Sequence, residues 1–124
     1  MGFMKAVLDS DVLIDFLLGD PRAKAELDQY DALLFSIVSW MEIMCGADTQ
    51  EERDAAARLF QSMQRVDLTT DIAAKAVEIR RSMRLKFPDA VILATADVEG
   101  CILVTRNSKD FSASDPRVRV PYSS

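Results

Sequence analysis

Lys5-Ala6-Val7-Leu8-Asp9-Ser10-Asp11-Val12-Leu13-Ile14-Asp15 decides how the chain is read. An apolar run stops at a carboxylate, a second acid follows two residues later, and apolar residues return at helical spacing. Met4 to Leu8 reads as a buried strand that ends at Asp9. A helix is expected from about Asp11, with Val12, Leu13, Phe16 and Leu17 on one face. A carboxylate at the end of a first strand stands where open α/β sheets bind ligands. Helix capping by Asp9 or Ser10 is the alternative.

The same alternation continues downstream. Gly19 closes the first helix, and Asp20-Pro21 opens a second over about 21 to 31, polar and expected to be exposed. Leu33 to Val38 is a strand candidate, followed by a helix capped at Ser39 and stopped near Gly46. Asp48 to Gln64 reads as a helix in which Thr49 and Glu52 fit a capping box. Arg65 to Leu68 is a brief strand. Thr70 or Asp71 caps the next helix, whose end is basic through Arg80, Arg81, Arg84 and Lys86. Such cations suit a helix C-terminus, or they contact RNA. Phe87-Pro88 breaks the pattern, and Asp89 to Glu99 is a buried helix closed by Gly100. Cys101 to Val104 is a central strand, residues 105–111 a polar loop, and Val118 to Val120 a last weak strand. Strands alternating with helices imply a mainly parallel, roughly five-stranded α/β sheet covered by helices on both faces.

Bulk properties narrow the function. The 124 residues are 49 % hydrophobic and match one ordinary domain, residues 1–124. No run has the length of a membrane span and Lys5 interrupts any leader-like segment, so a soluble, cytoplasmic protein is expected. Cys45 and Cys101 have no metal-type spacing and are expected to be free, buried thiols. Histidine is absent. That removes imidazole-based catalysis and leaves carboxylates and lysines to carry any chemistry. A net charge of −5 and a pI of about 4.7 argue against a general nucleic-acid binder. A nucleic-acid enzyme stays open, because divalent cations offset acids locally.

Four polar positions fall on the expected C-terminal sheet edge: Asp9, Glu42, Asp89 and Asn107. Glu42 interrupts the apolar Trp40, Met41, Ile43 and Met44. Trp40 itself is expected to be a packing anchor. Asp89 lies among Pro88, Ala90 and Val91, where a lone carboxylate is poorly solvated. Separately, these four read as a solvated acid, two caps and a turn residue. Together, the acids stay ionised only around a positive centre. A hard cation with oxygen ligands, Mg²⁺ or Mn²⁺, fits.

The segments around these positions resemble the PIN-domain ribonucleases, and among them the VapC-type toxins of bacterial toxin–antitoxin pairs. Asp9-Ser10-Asp11-Val12-Leu13-Ile14-Asp15 looks like their opening motif. Trp40-Met41-Glu42-Ile43-Met44-Cys45-Gly46 is similar to the second, and Asp89-Ala90-Val91-Ile92-Leu93-Ala94-Thr95-Ala96 to the third. Val104-Thr105-Arg106-Asn107-Ser108-Lys109-Asp110-Phe111 resembles the strand-end motif of the toxins. The likeness covers nearly the whole chain and implies a three-layer PIN-like fold.

It also implies a Mg²⁺- or Mn²⁺-dependent endoribonuclease with an antitoxin partner and a homodimeric state. Carried over by position, Asp9, Glu42 and Asp89 are metal ligands, and Asn107 stands at a fourth catalytic position where some members have Asp. An amide there brings one neutral oxygen, which leaves Asp110 a candidate acting through water. Ser10 and Thr105 match small hydroxyl positions, and Asp11 is an auxiliary acid or a cap. Arg106 and Lys109 are candidates for RNA phosphate, or plain surface cations. Asp15 is a solvated acid or a partner for an arginine.

Two other readings compete. One is a non-catalytic module whose acidic pocket receives a partner's arginine. The other is a small-molecule phosphatase with Asp9 as nucleophile, against which the missing phosphate loop argues.

Overall fold

β1 (Lys5–Leu8) is the middle strand of a five-stranded parallel sheet ordered β3-β2-β1-β4-β5. A computed structural model describes residues 2–123. From β1 the chain runs through α1 (Ser10–Leu17) and α2 (Pro21–Leu27) to β2 (Ala32–Ser36). It continues through α3 (Ile37–Gly46) and α4 (Gln50–Gln61) to β3 (Gln64–Val66) at one edge. Then α5 (Thr70–Met83) and α6 (Phe87–Glu99) carry it back across to β4 (Ile102–Val104), and β5 (Val118–Arg119) completes the other edge.

The order of strands reverses at β1, since β2 lies on one side of it and β4 on the other. In a parallel sheet that switch point opens a crevice at the strands' C-terminal ends. Here those ends are Asp9 and Thr105, held in register by the Asp9 N–H donating to the Val104 carbonyl at 2.9 Å.

Alternation along the strands divides the core in two. Val7, Leu34 and Leu103 face α5 and α6, among them Ile72, Ile79 and Ile92. Ala6, Leu8, Phe35 and Val104 face the other side, with Val12, Leu13 and Leu27. The Phe35 and Phe60 rings meet there at 4.4 Å between centroids. The result is the expected α/β architecture of three layers. Thr49 and Glu52 form the expected capping box.

Several boundaries differ. α1 begins at Ser10 with Asp9 as N-cap. α3 begins at Ile37 under a Ser36 cap, and Ser39 is instead fully buried within the helix, its hydroxyl unpartnered among the described residues. Thr69 caps α5, and α6 starts two residues early with Pro88 in its first turn, where a missing N–H costs nothing. α2 is not exposed throughout: Ala23, Glu26 and Leu27 are buried. Trp40 is 41 % exposed and Cys45 is exposed, so neither is the buried residue expected.

α5 ends at Arg84, whose backbone is left-handed at φ 59°. A side chain there is strained by about 1–2 kcal/mol, and glycine is not. Arg84→Gly is expected to raise stability by about 0.5–1 kcal/mol in urea unfolding.

Candidate functional site

Asp9 serves two roles at once. As N-cap of α1 it accepts the Ser10 N–H at 2.7 Å through Oδ1. Its Oδ2 accepts the Thr105 hydroxyl at 2.8 Å from the end of β4. The capping and sheet-edge readings therefore describe one geometry, because the strand ends where the helix begins. The Thr105 side chain is fully buried between the two strand ends and also reaches Asp11 Oδ2 at 3.3 Å.

Glu42 comes from α3 and is exposed; Ser10 Oγ donates to its Oε1 at 2.8 Å. Asp89 comes from the first turn of α6 and is half-buried. Two elements thus converge from outside on the crevice at the end of β1. Electrostatics register the convergence. Burial, then the charge of Asp11 and more weakly that of Asp89, pushes the Asp9 carboxyl up to about 7 against the pull of Thr105 and Ser10. Burial also raises Asp11, against hydrogen bonds from the Arg106 and Val12 backbone. Asp89 is raised by burial and by the charges of Asp110, Glu42 and Asp11, with Lys86 opposing.

The loop after β4 is organised differently from the acids. Asn107 Nδ2 donates to Asp110 Oδ2 at 2.9 Å, and the Asp110 N–H donates to Asn107 Oδ1 at 3.2 Å. This pair closes a turn, so the Asn107 side chain spends both polar atoms on Asp110. Arg106 donates from Nε to Asp15 Oδ2 at 2.7 Å, and Tyr122 OH donates to the same oxygen at 3.0 Å. The Arg106 charge is committed to α1; Lys109 is exposed at the loop. Asp15 is thus the partner for an arginine. Its place one turn after Asp11 on the same helix face was the available signal. Tyr122 gave none.

Hard oxygen donors gathered where burial and like charge raise Asp9 and Asp89 suit a small divalent cation, which would relieve repulsion and burial together. Asp9, Asp89 and Glu42 supply such donors, with Asp11 beside them. Among the described residues no three acids form a ready-made coordination cage. Asp9 and Glu42 are each also held by a hydroxyl that fixes their orientation.

The family model "PIN domain" matches residues 6–115. Among solved structures, the chain is 35 % identical to a chain of a toxin–antitoxin complex from Klebsiella pneumoniae, with a TM-score of 0.89 over 96 % of this chain and 99 % of that one. VapBC2 from Rickettsia felis, bound to a DNA fragment from its promoter, gives a TM-score of 0.80 at 16 % identity, covering 94 % and 96 %. VapBC-1 from nontypeable Haemophilus influenzae gives 0.80 at 19 %, covering 95 % and 98 %. These two share the fold. No curated protein matched by sequence. With its acids gathered at the switch point of a sheet built this way, and the family match running through all of them, the chain belongs to the PIN domain family.

Proposed function

We propose that the protein is a Mg²⁺- or Mn²⁺-dependent endoribonuclease acting as the toxin of a toxin–antitoxin pair. The observation that supports it best is the convergence of Asp9, Glu42 and Asp89 from β1, α3 and α6, where the charge of Asp89 helps to raise Asp9 and that of Glu42 helps to raise Asp89. Those three residues hold the ion in this reading. When bound, it supplies Lewis-acid stabilisation of the phosphoryl oxygens and lowers the pKa of a water. Thr105 and Ser10 fix the orientation of Asp9 and Glu42, so that their oxygens need no rearrangement. Asp11 adds negative charge beside Asp9. Asn107 and Asp110 shape the loop, and Asp110 is the nearer of the two to a proton-accepting role because it faces Asp89 electrostatically. Lys109 is the free cation proposed for phosphate; Arg106 serves the loop's anchorage to α1. The 1–124 segment acts as one unit in this reading.

The test is cleavage of a fluorophore–quencher oligoribonucleotide by purified protein with Mg²⁺ or Mn²⁺. Cleavage unchanged by chelator would end the proposal. Thr105→Val keeps the shape and removes the hydroxyl; a loss of about 10- to 100-fold in kcat/KM is expected, the usual effect of losing a ligand's orienting partner.

A docked antitoxin is supported by a groove of about 320 Å³ between α1, α3 and α4, lined by Ile14, Leu17, Ile43, Ala56 and the acids Glu42, Glu51 and Glu52. That groove also favours the second reading, an acidic pocket that only receives a partner's arginine. Calorimetry with Mn²⁺ separates the two, since a docking module has no need to bind metal through Asp9 and Asp89. A homodimer belongs to the same proposal, with exposed Trp40 and Met41 on α3 as apolar surface for it. No helix among the described residues is long and apolar enough to cross a membrane, and a cytoplasmic setting is proposed with the RNA substrate.

A further inference from the structure

The junction of α5 and α6 carries a surface that the acid cluster leaves unused. Arg80 and Arg81 lie in the last turn of α5, Arg84 is its C-cap, and Lys86 is the N-cap residue of α6. Phe87 follows at the first position of α6 and is 53 % exposed; Val77 is 48 % exposed. Val77, Arg80, Arg81, Arg84 and Phe87 line an open groove of about 330 Å³. The Arg80 guanidinium lies 4.6 Å from the Phe87 ring centroid, and Nη1 donates to the Leu85 carbonyl at 2.7 Å. One side of the ring is thereby fixed while much of it faces solvent.

Ordinary structural roles account for only part of this. The helix dipole favours Arg80 and Arg81 at the end of α5, but it disfavours Lys86 at the start of α6. Ion pairing fails as well. Arg22, Arg106, Arg117 and Arg119 each hold a carboxylate, whereas among the described residues none of Arg80, Arg81, Arg84 and Lys86 does. Three arginines without a carboxylate partner lining a groove with an exposed aromatic ring, and Lys86 next to that ring in the chain, are conspicuous in a chain of net charge −5. The acid cluster repels a polyanion, so a strand brought to it needs a cationic hold alongside. The first turn of α6 joins the two, carrying Phe87 at one position and Asp89 two residues on.

We propose that this groove binds single-stranded RNA, with phosphates on Arg81, Arg84 and Lys86 and one base stacked on Phe87. The proposal takes its substrate from the nuclease reading, but it concerns binding. Cations track the backbone, and a ring face accepts any unpaired base.

The experiment is fluorescence anisotropy of a labelled single-stranded oligoribonucleotide of about twelve nucleotides, in chelator, so that binding is read without cleavage. The full chain is compared with Arg81→Gln/Arg84→Gly and with Phe87→Ala, and urea unfolding confirms that each variant is folded. The double variant is expected to lose about tenfold in affinity, and its slope against log salt to flatten by about 1.4. Phe87→Ala is expected to lose about fivefold or more with the slope unchanged. Wild-type affinity in both variants overturns the proposal. So does a change in sedimentation with Phe87→Ala while RNA affinity stays constant, which would make the face a contact between copies. Groove-dependent binding by a protein that cleaves nothing in Mg²⁺ or Mn²⁺ removes the nuclease reading and leaves the groove. Cleavage by both variants at wild-type KM removes the groove and leaves the nuclease.

Discussion

Replacing Asp9 by Asn is expected to abolish metal-dependent RNA cleavage and, without metal, to raise the melting temperature at about pH 8. Loss of an orienting partner costs about 10- to 100-fold, so loss of a direct ligand should cost at least about 100-fold. Asp89→Asn should do the same to cleavage. Stability moves the other way because Asp9 is only 6 % exposed and stands beside other acids. Asn keeps an oxygen for the Ser10 N–H and can meet the Thr105 hydroxyl as a donor, without a charge to bury. A destabilised Asp9→Asn protein would mean that the carboxylate is structural.

The sign follows from proton linkage. Asp9 has a folded pKa of about 7 against 3.8 when free. Between those values the folded state binds more protons than the unfolded state, so stability falls as pH rises across that window. The ceiling is about 4 kcal/mol, and about 1 kcal/mol already moves the melting temperature by several degrees in a domain of this size. Asp11 and Asp89 are raised too and add in the same direction. Metal-free protein should therefore melt higher at about pH 5 than at about pH 8. Added Mn²⁺ should recover most of the difference at the higher pH and do little at the lower, where protons hold the site. Asp9→Asn should flatten both responses in thermal unfolding. A metal-free melting temperature that rises from about pH 5 to about pH 8 would contradict this account of the cluster.

How much of this was legible in the sequence depends on the range of the signal. β1, β2 and β4 announce themselves as apolar runs, and Asp9 stands out because a charge ends one of them. The start of α3 does not, since Ile37 and Val38 are apolar and suit a strand or a helix equally. α3 is also apolar around much of its circumference, which hides that Trp40 and Met41 face outward while Ile43 faces in. Asp9, Glu42 and Asp89 could be nominated because each sits at the end of its own element. Their mutual charge, and the hydroxyls of Ser10 and Thr105 that hold them, needed the sheet order. Charge and place in the chain make Arg106 a phosphate candidate. Its actual partner, Asp15, lies 91 residues away; the helix spacing offers Asp15 to an arginine without saying which one.

Arg119→Ala is expected to destabilise the fold by about 3 kcal/mol, more than Glu26→Gln at about 1–2 kcal/mol. Both lie in the network that the sequence concealed most fully, since α2 read as polar and exposed. Glu26 is 2 % exposed. It accepts Arg119 Nε and Nη2 at 2.6 and 2.9 Å, Tyr30 OH at 2.6 Å and Gln29 Nε2 at 2.9 Å. The pair ties the edge strand β5 to α2. The two substitutions are unequal because the partners are. The Arg119 side chain is 45 % exposed and can be rehydrated when Glu26 is changed, and Gln still offers it an oxygen. Glu26 cannot be rehydrated when Arg119 is lost. Proton linkage makes the asymmetry measurable. Burial alone would raise the Glu26 carboxyl, but Arg119, Tyr30 and Gln29 together bring it below its usual 4.5. Its contribution is therefore complete above 4.5 and is lost as pH falls through the depressed folded value. In Arg119→Ala burial prevails, the folded value rises above the unfolded one, and stability falls as pH rises through that range instead. Urea unfolding from about pH 3 to about pH 7 should show the stability gap between the parent and Arg119→Ala widening as pH rises through Glu26's range, on top of the slope that Asp9 gives both proteins. Parallel pH curves for the two proteins would show that the Arg119 guanidinium does not hold this carboxylate ionised.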